Sequence, residues 1–132
     1  MENVTQFDYA PEVVQRFVNT LHAGSLDGVN VVNAQAGSRE SGASARLWLQ
    51  VVNQRVKKAA FQGYGCPHFI AAAESLAEWC EGRTVNELSL WSWQKVQQQL
   101  AIPTSKRGRL LILENALKKA IETLISTHNP SS

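Results

Sequence analysis

Cysteine is scarce in this chain, with two residues among 132, alongside one methionine and four prolines. Two thiols cannot staple a fold of this length, so stability has to come from a buried core, which one domain of this size is able to build. Long apolar runs are missing as well. No stretch approaches the roughly 18 uncharged residues that a membrane-spanning helix requires. An excess of one charge is also absent: 13 Lys and Arg stand against 11 Asp and Glu, a net charge of +2. The basic residues are scattered apart from Lys106, Arg107 and Arg109, so nucleic acid is not an expected partner. With 44% apolar and 18% charged residues, the composition excludes disorder, collagen-like repeats and a coiled coil. Residues Met1 to Tyr9 carry Glu2 and Asp8 and lack the basic-then-apolar pattern of a secretory signal. The expectation is a cytoplasmic protein with reduced thiols.

What is present is a change of hydrophobic period along the chain. Val13, Val14, Phe17, Val18 and Leu21 recur at helical spacing, with Pro11 at the start and Gly24 beyond the end, which predicts a helix over 11–23. His22 falls at its last turn. Val29 to Ala36 reads as a strand, and Gly37 to Gly42 as a loop. Ala45, Leu47, Leu49 and Val51 alternate with polar neighbours, and Arg55 to Gln62 returns after a turn at Val52-Asn53-Gln54, predicting a hairpin with a solvated face at its two lysines. From Pro67 the period is helical again through Ile70, Ala73, Leu76, Ala77 and Cys80, ending at Gly82. Thr84 and Glu87 have the spacing of a capping box, Trp93 to Leu100 a short helix, and Leu110 to Leu124 a long apolar stripe. The resulting class is α+β: a small three-stranded antiparallel sheet with helices packed on one face. Residues 1–126 are expected to form one domain and 127–132 a flexible tail that includes His128.

Gly63-Tyr64-Gly65-Cys66-Pro67-His68 is the stretch best suited to chemistry. Cys66 precedes a helix that opens on proline, so its thiol meets unpaired backbone N–H groups and the positive end of the helix dipole. That setting favours a thiolate able to act as nucleophile or metal ligand, and His68 in the same turn is a candidate neighbour. The alternative is a buried structural cysteine in a tight turn. Cys80 lies 14 residues further along the same helix, roughly 21 Å away, too far for a disulfide or a shared metal, and reads as core. Lys106 and Arg109 form a cationic cluster at a helix start, where they oppose the dipole and can receive an anion or remain solvated. Glu78 and Glu81 read as a solvated face, and Trp91 and Trp93 as core or a contact patch.

These residues resemble the IscU/NifU family of iron–sulfur cluster assembly scaffolds. The likeness runs from about Tyr9 to Leu124 and is carried by Tyr9-Ala10-Pro11-Glu12-Val13-Val14, Gly24-Ser25-Leu26-Asp27, Tyr64-Gly65-Cys66, Trp79 to Glu87 and Leu113 to Ile121. Such scaffolds hold a [2Fe–2S] cluster with three cysteines, an aspartate and sometimes a histidine. At the matching positions this chain has Ser41 and Ala43, then Cys66, then Gly108 and Arg109. The resemblance therefore implies a divergent member lacking two of three ligand cysteines, with Cys66 as its one thiol ligand and His68, Lys106 and Arg109 as neighbours. It implies a non-enzymatic assembly protein that does not hold a standard cluster alone and docks a cysteine desulfurase or other assembly proteins. Two other readings stay open: a persulfide carrier using Cys66, and an interaction module presenting Trp48 or Trp91.

Overall fold

The computed structural model describes residues 9–127. Four helices, α1 (Pro11–Val18), α2 (Pro67–Cys80), α3 (Trp93–Gln99) and α4 (Arg107–Thr127), accompany three strands, β1 (Val31–Ser38), β2 (Ala43–Val52) and β3 (Arg55–Tyr64). The sheet is antiparallel in the order β1-β2-β3. Its alternation separates two faces. Val32, Ala34, Ala45, Leu47, Leu49, Val56 and Phe61 are buried beneath α2 and α4, while Asn33, Gln35, Gln62 and half-buried Arg46 and Trp48 face outward. The helices thus cover one face, as the sequence predicts.

The β2–β3 connection is a two-residue turn in which Asn53 and Gln54 both take positive φ, 54° and 65°, the twist that suits a tight hairpin. The register slips between Gln50 and Val51, so that Gln50 pairs with Lys58 and Val51 with Val56. Lys57 is left as the extra residue of a bulge. That is how two successive lysines both reach solvent, which a regular strand does not allow.

Helix α2 is buried nearly all round, with Ala71, Ala72, Ala73 and Ala77 letting α1, β3 and α4 approach closely. Of its two acids Glu74 is buried, at 3% exposure, and such a group demands partners. They come from the segment after α1. Glu74 Oε1 accepts the His22 backbone N–H at 2.9 Å, and Oε2 lies 2.6 Å from His22 Nδ1. The other ring nitrogen is 3.0 Å from Glu81 Oε1, and Glu81 Oε2 accepts the Ala59 N–H at 3.0 Å.

This arrangement corrects the sequence reading at several points. Helix α1 stops at Val18 rather than continuing to Ala23, because His22 and Gly24 pair through their backbones with Phe61 on the open side of β3, at 2.9 and 2.8 Å. A tertiary ladder has won over helical periodicity. Of the expected stripe only Val13 is fully buried, and Leu21 is 83% exposed. His22 therefore belongs to an ionic clamp and not to a helix end. Glu81 belongs to the same clamp, while Glu78 is solvated as expected and pairs with Arg16 at the surface. The first strand begins at Val31, leaving Val29 exposed, and extends through Gly37 and Ser38 into the expected loop. Thr127 closes α4, while residues 128–132, including His128, lie outside the described part. Trp91 is buried, which removes it as a contact patch, whereas the Thr84–Glu87 capping box is present at a short 3₁₀ helix, Val85–Leu90.

Two outcomes follow. Burial lowers the His22 pKa, but the hydrogen bonds and charges of Glu74 and Glu81 outweigh it, and the net shift is upward. The clamp's stabilisation is then complete below the unfolded value of about 6.5 and is lost as pH rises through the higher folded value. Denaturant midpoints should fall as pH rises above about 6.5, and His22→Gln should flatten that slope while costing about 2 kcal/mol at low pH. Gln54→Gly, which removes the left-handed penalty at the turn, should raise the unfolding free energy by about 1 kcal/mol in the same assay.

Candidate functional site

Strand β3 leads into α2 through Gly65, where any side chain is excluded: a Cβ there would lie 2.9 Å from the Phe69 ring. Cys66 follows as the N-cap, with Pro67 in the first turn and the Ile70 N–H bonded to the Cys66 carbonyl at 3.1 Å. Its side chain makes no capping hydrogen bond, and the residue is half-buried. His68 is buried in the first turn, edge-on to Tyr9 with ring centroids 4.7 Å apart. No hydrogen-bond partner is found for its Nδ1. Burial first, and then the charge of Lys106, push its pKa down. A neutral imidazole with an open nitrogen results, able to take a proton or a metal.

The loop between β1 and β2 comes to the same end of the sheet, because Ser44 at the start of β2 pairs with Tyr64 at the end of β3. Arg39 lies over the Tyr64 ring, 4.6 Å from its centroid. Ser41, where the family resemblance implies the first ligand, holds its own turn together. Its hydroxyl donates to the Ser38 carbonyl at 2.9 Å and accepts the Ser38 N–H at 3.1 Å. Ala43, where the resemblance implies a carboxylate, is fully buried. Gly42 turns with φ +88°, and the Arg109 guanidinium occupies the space beside it, 3.1 Å from where a Cβ would stand. Arg109 is half-buried, and its Nε has no hydrogen-bond partner. Gly108 faces open space.

The structure thus sets Arg109 against Gly42, puts His68 within the electrostatic reach of Lys106, and sets Cys66 two residues before that histidine. The contributions of Tyr9, Arg39 and the Tyr64 ring escaped the sequence reading, although Tyr64 stands inside the glycine-flanked motif that pointed to Cys66. Cys80 is core as expected: it is fully buried, and desolvation drives its thiol pKa far upward. Among the described residues no group of three or more His, Cys, Asp or Glu side chains is placed to hold a metal ion. One thiol, one imidazole and two nearby cations are not the donor set of a [2Fe–2S] cluster, which takes about four ligands.

The molecule is thus an α+β sheet carrying helices on one face, with Cys66 capping the buried helix α2. The NifU-like N terminal domain family matches residues 8–129, and the chain belongs to that family. It is 29% identical over 116 residues to the iron–sulfur cluster assembly scaffold protein IscU of Azotobacter vinelandii, covering 86% of this chain and 91% of the relative. Its fold is similar to a Fervidobacterium islandicum protein described as a putative iron–sulfur cluster assembly scaffold for the SUF system, with a TM-score of 0.69, 12% identity, and coverage of 89% and 98%. It is also similar to the N-terminal NifU-like protein of Brucella abortus, with a TM-score of 0.67, 15% identity, and coverage of 86% and 91%. The family is that of iron–sulfur assembly scaffolds.

The contrast between the two thiols gives a direct measurement. With Cys66 half-buried and Cys80 at 0% exposure, iodoacetamide should modify Cys66 at least ~100-fold faster in the native protein, the difference vanishing in denaturant. Peptide mass mapping over time reads both rates.

Proposed function

We propose that this chain is a divergent scaffold-like protein of iron–sulfur cluster assembly that does not hold a standard [2Fe–2S] cluster with its own ligands. The observation that carries this reading is the fate of the ligand positions implied by the family resemblance. Ser41 is spent on its own turn, Ala43 lies in the core, and Arg109 fills the space beside Gly42, leaving Cys66 as the one thiol. A fixed guanidinium at that end of the sheet repels ferrous and ferric iron and favours anions. The chain then acts without catalysis of its own, as one domain over residues 1–126, by docking a cysteine desulfurase or another assembly protein in the cytoplasm. No helix among the described residues is long and apolar enough to cross a membrane.

A second reading is supported by the Cys66 side chain, half-buried at its helix cap and making no capping hydrogen bond. As a persulfide carrier, the Cys66 thiolate attacks the outer sulfur of a desulfurase cysteine persulfide. The sulfur–sulfur bond of the donor breaks, its cysteine leaves as a thiolate, and Cys66 retains the transferred sulfur as a persulfide. This step needs one accessible thiol rather than three.

Anaerobic incubation with ferrous iron and sulfide, followed by desalting, separates these readings from a standard scaffold. The expected result is less than about 0.1 iron per chain and no visible absorption band, because one thiol is too few. Stoichiometric iron and labile sulfide that disappear in Cys66→Ser would overturn the proposal. Incubation with a cysteine desulfurase and ³⁵S-cysteine should then place reductant-releasable label on the wild type and not on Cys66→Ser if the carrier reading holds.

A further inference from the structure

The two sides of the sheet are finished differently. The outer side of β3 receives the His22–Gly24 backbone, whereas β1, at the other side, has no backbone neighbour among the described residues. The phase of its hydrogen bonds is set by Val51 N–H donating to the Asn30 carbonyl at 2.9 Å, next to the Val31–Gln50 pair. Residues 30, 32, 34 and 36 therefore turn their backbone groups toward β2, and Val31, Asn33, Gln35 and Gly37 turn theirs outward. Open edges of this kind are templates for another strand.

Two cations converge on this edge at Gln35. Lys119 of α4 donates from Nζ to the Gln35 carbonyl at 3.1 Å. Arg46 leans across from β2, donating to Asn33 Oδ1 and, at 3.0 Å, to Gln35 Oε1. Both cations are held by neutral oxygens, and no carboxylate lies within ion-pair distance of either among the described residues. The imbalance extends to the whole sheet. Residues 31–66 contain Arg39, Arg46, Arg55, Lys57 and Lys58 against Glu40 alone, while the entire chain carries only +2.

We propose that the outer edge of β1 docks an extended, acidic segment of a partner protein as a fourth strand. The backbone N–H of the incoming strand takes over the Gln35 carbonyl, releasing Lys119 to pair with a carboxylate, and a second carboxylate meets the Arg46 guanidinium above Asn33 and Gln35. Strand addition supplies affinity through main-chain hydrogen bonds, and the cations select for acid. A second copy of this chain is the poorer occupant, because pairing β1 with itself sets two positive sheets side by side. Single-stranded nucleic acid is poorer too: the Tyr64 ring already carries Arg39, and Trp48 is half-buried opposite Ala60, leaving little aromatic surface for bases. This surface does not depend on the Cys66 thiol.

The test uses the full chain and a fluorescein-labelled peptide of alternating valine and glutamate, read by anisotropy, with backbone amide exchange followed by NMR. Saturable binding that weakens with salt is expected, with new protection at the amides of Val31, Asn33 and Gln35. Lys119→Glu and Arg46→Glu should each weaken binding about tenfold or more. Val31→Pro, whose lost N–H faces outward and leaves the β2 ladder whole, should abolish it while circular dichroism and the thermal midpoint stay near wild type. The proposal is overturned by absence of saturable binding up to about 1 mM peptide. Equal binding of a valine–lysine peptide overturns it as well, as does binding of oligothymidine alone. A dimer in sedimentation that Val31→Pro dissolves would assign the edge to a second copy instead.

Discussion

The interior carboxylate of Glu74 governs how the N-terminal third of the molecule is arranged. A charge at 3% exposure has to be matched by donors, and both donors that reach it come from His22. Meeting that requirement fixes the backbone of residues 22–24 against β3 and brings Glu81 to the far side of the imidazole. The buried helix that bears Glu74 also presents Cys66 at its start, so one ionic clamp and one cysteine cap share a single rigid element. Replacing an apolar seam by such a clamp contributes little net stability, but it makes the register of the segment all-or-none.

Around the start of α2, the side chains at the positions where the family resemblance implies metal ligands are each engaged locally. The Ser41 hydroxyl ties its turn to Ser38, the Ala43 methyl belongs to the core, and Arg109 closes the gap beside Gly42. Restoring one cysteine at a time would therefore disturb local packing before it gave a cluster. In that corner burial and the charge of Lys106 lower the pKa of His68 and favour its neutral form.

Much of the architecture is legible from local sequence, because the deciding interactions are local. The hairpin, the Thr84–Glu87 capping box and the buried stripe of α4 follow from turn chemistry and period alone. The first helix is overestimated since nothing near Val18 announces that His22 and Gly24 will pair with Phe61, about forty residues away. Adjacent Lys57 and Lys58 hint at the bulge but do not fix which one is extra. In the site, Cys66 stands out through its glycines and the proline after it, and the family likeness points to positions 41, 43, 108 and 109. The stacking of Arg39 on Tyr64 and of Tyr9 against His68 depends on chain segments meeting in space, and no local pattern encodes it.

The pairing of residues 22–24 with Phe61 also bears on synthesis. The segment leaves the ribosome first, yet its partner strand is translated about forty residues later, which at 5–20 residues per second is roughly two to eight seconds. Throughout that interval Val13, fully buried in the finished fold, has nothing to pack against, and the hairpin of β2 and β3 must emerge before residues 22–24 can be fastened. During synthesis residues 22–24 therefore reach their final place only after Phe61 has emerged.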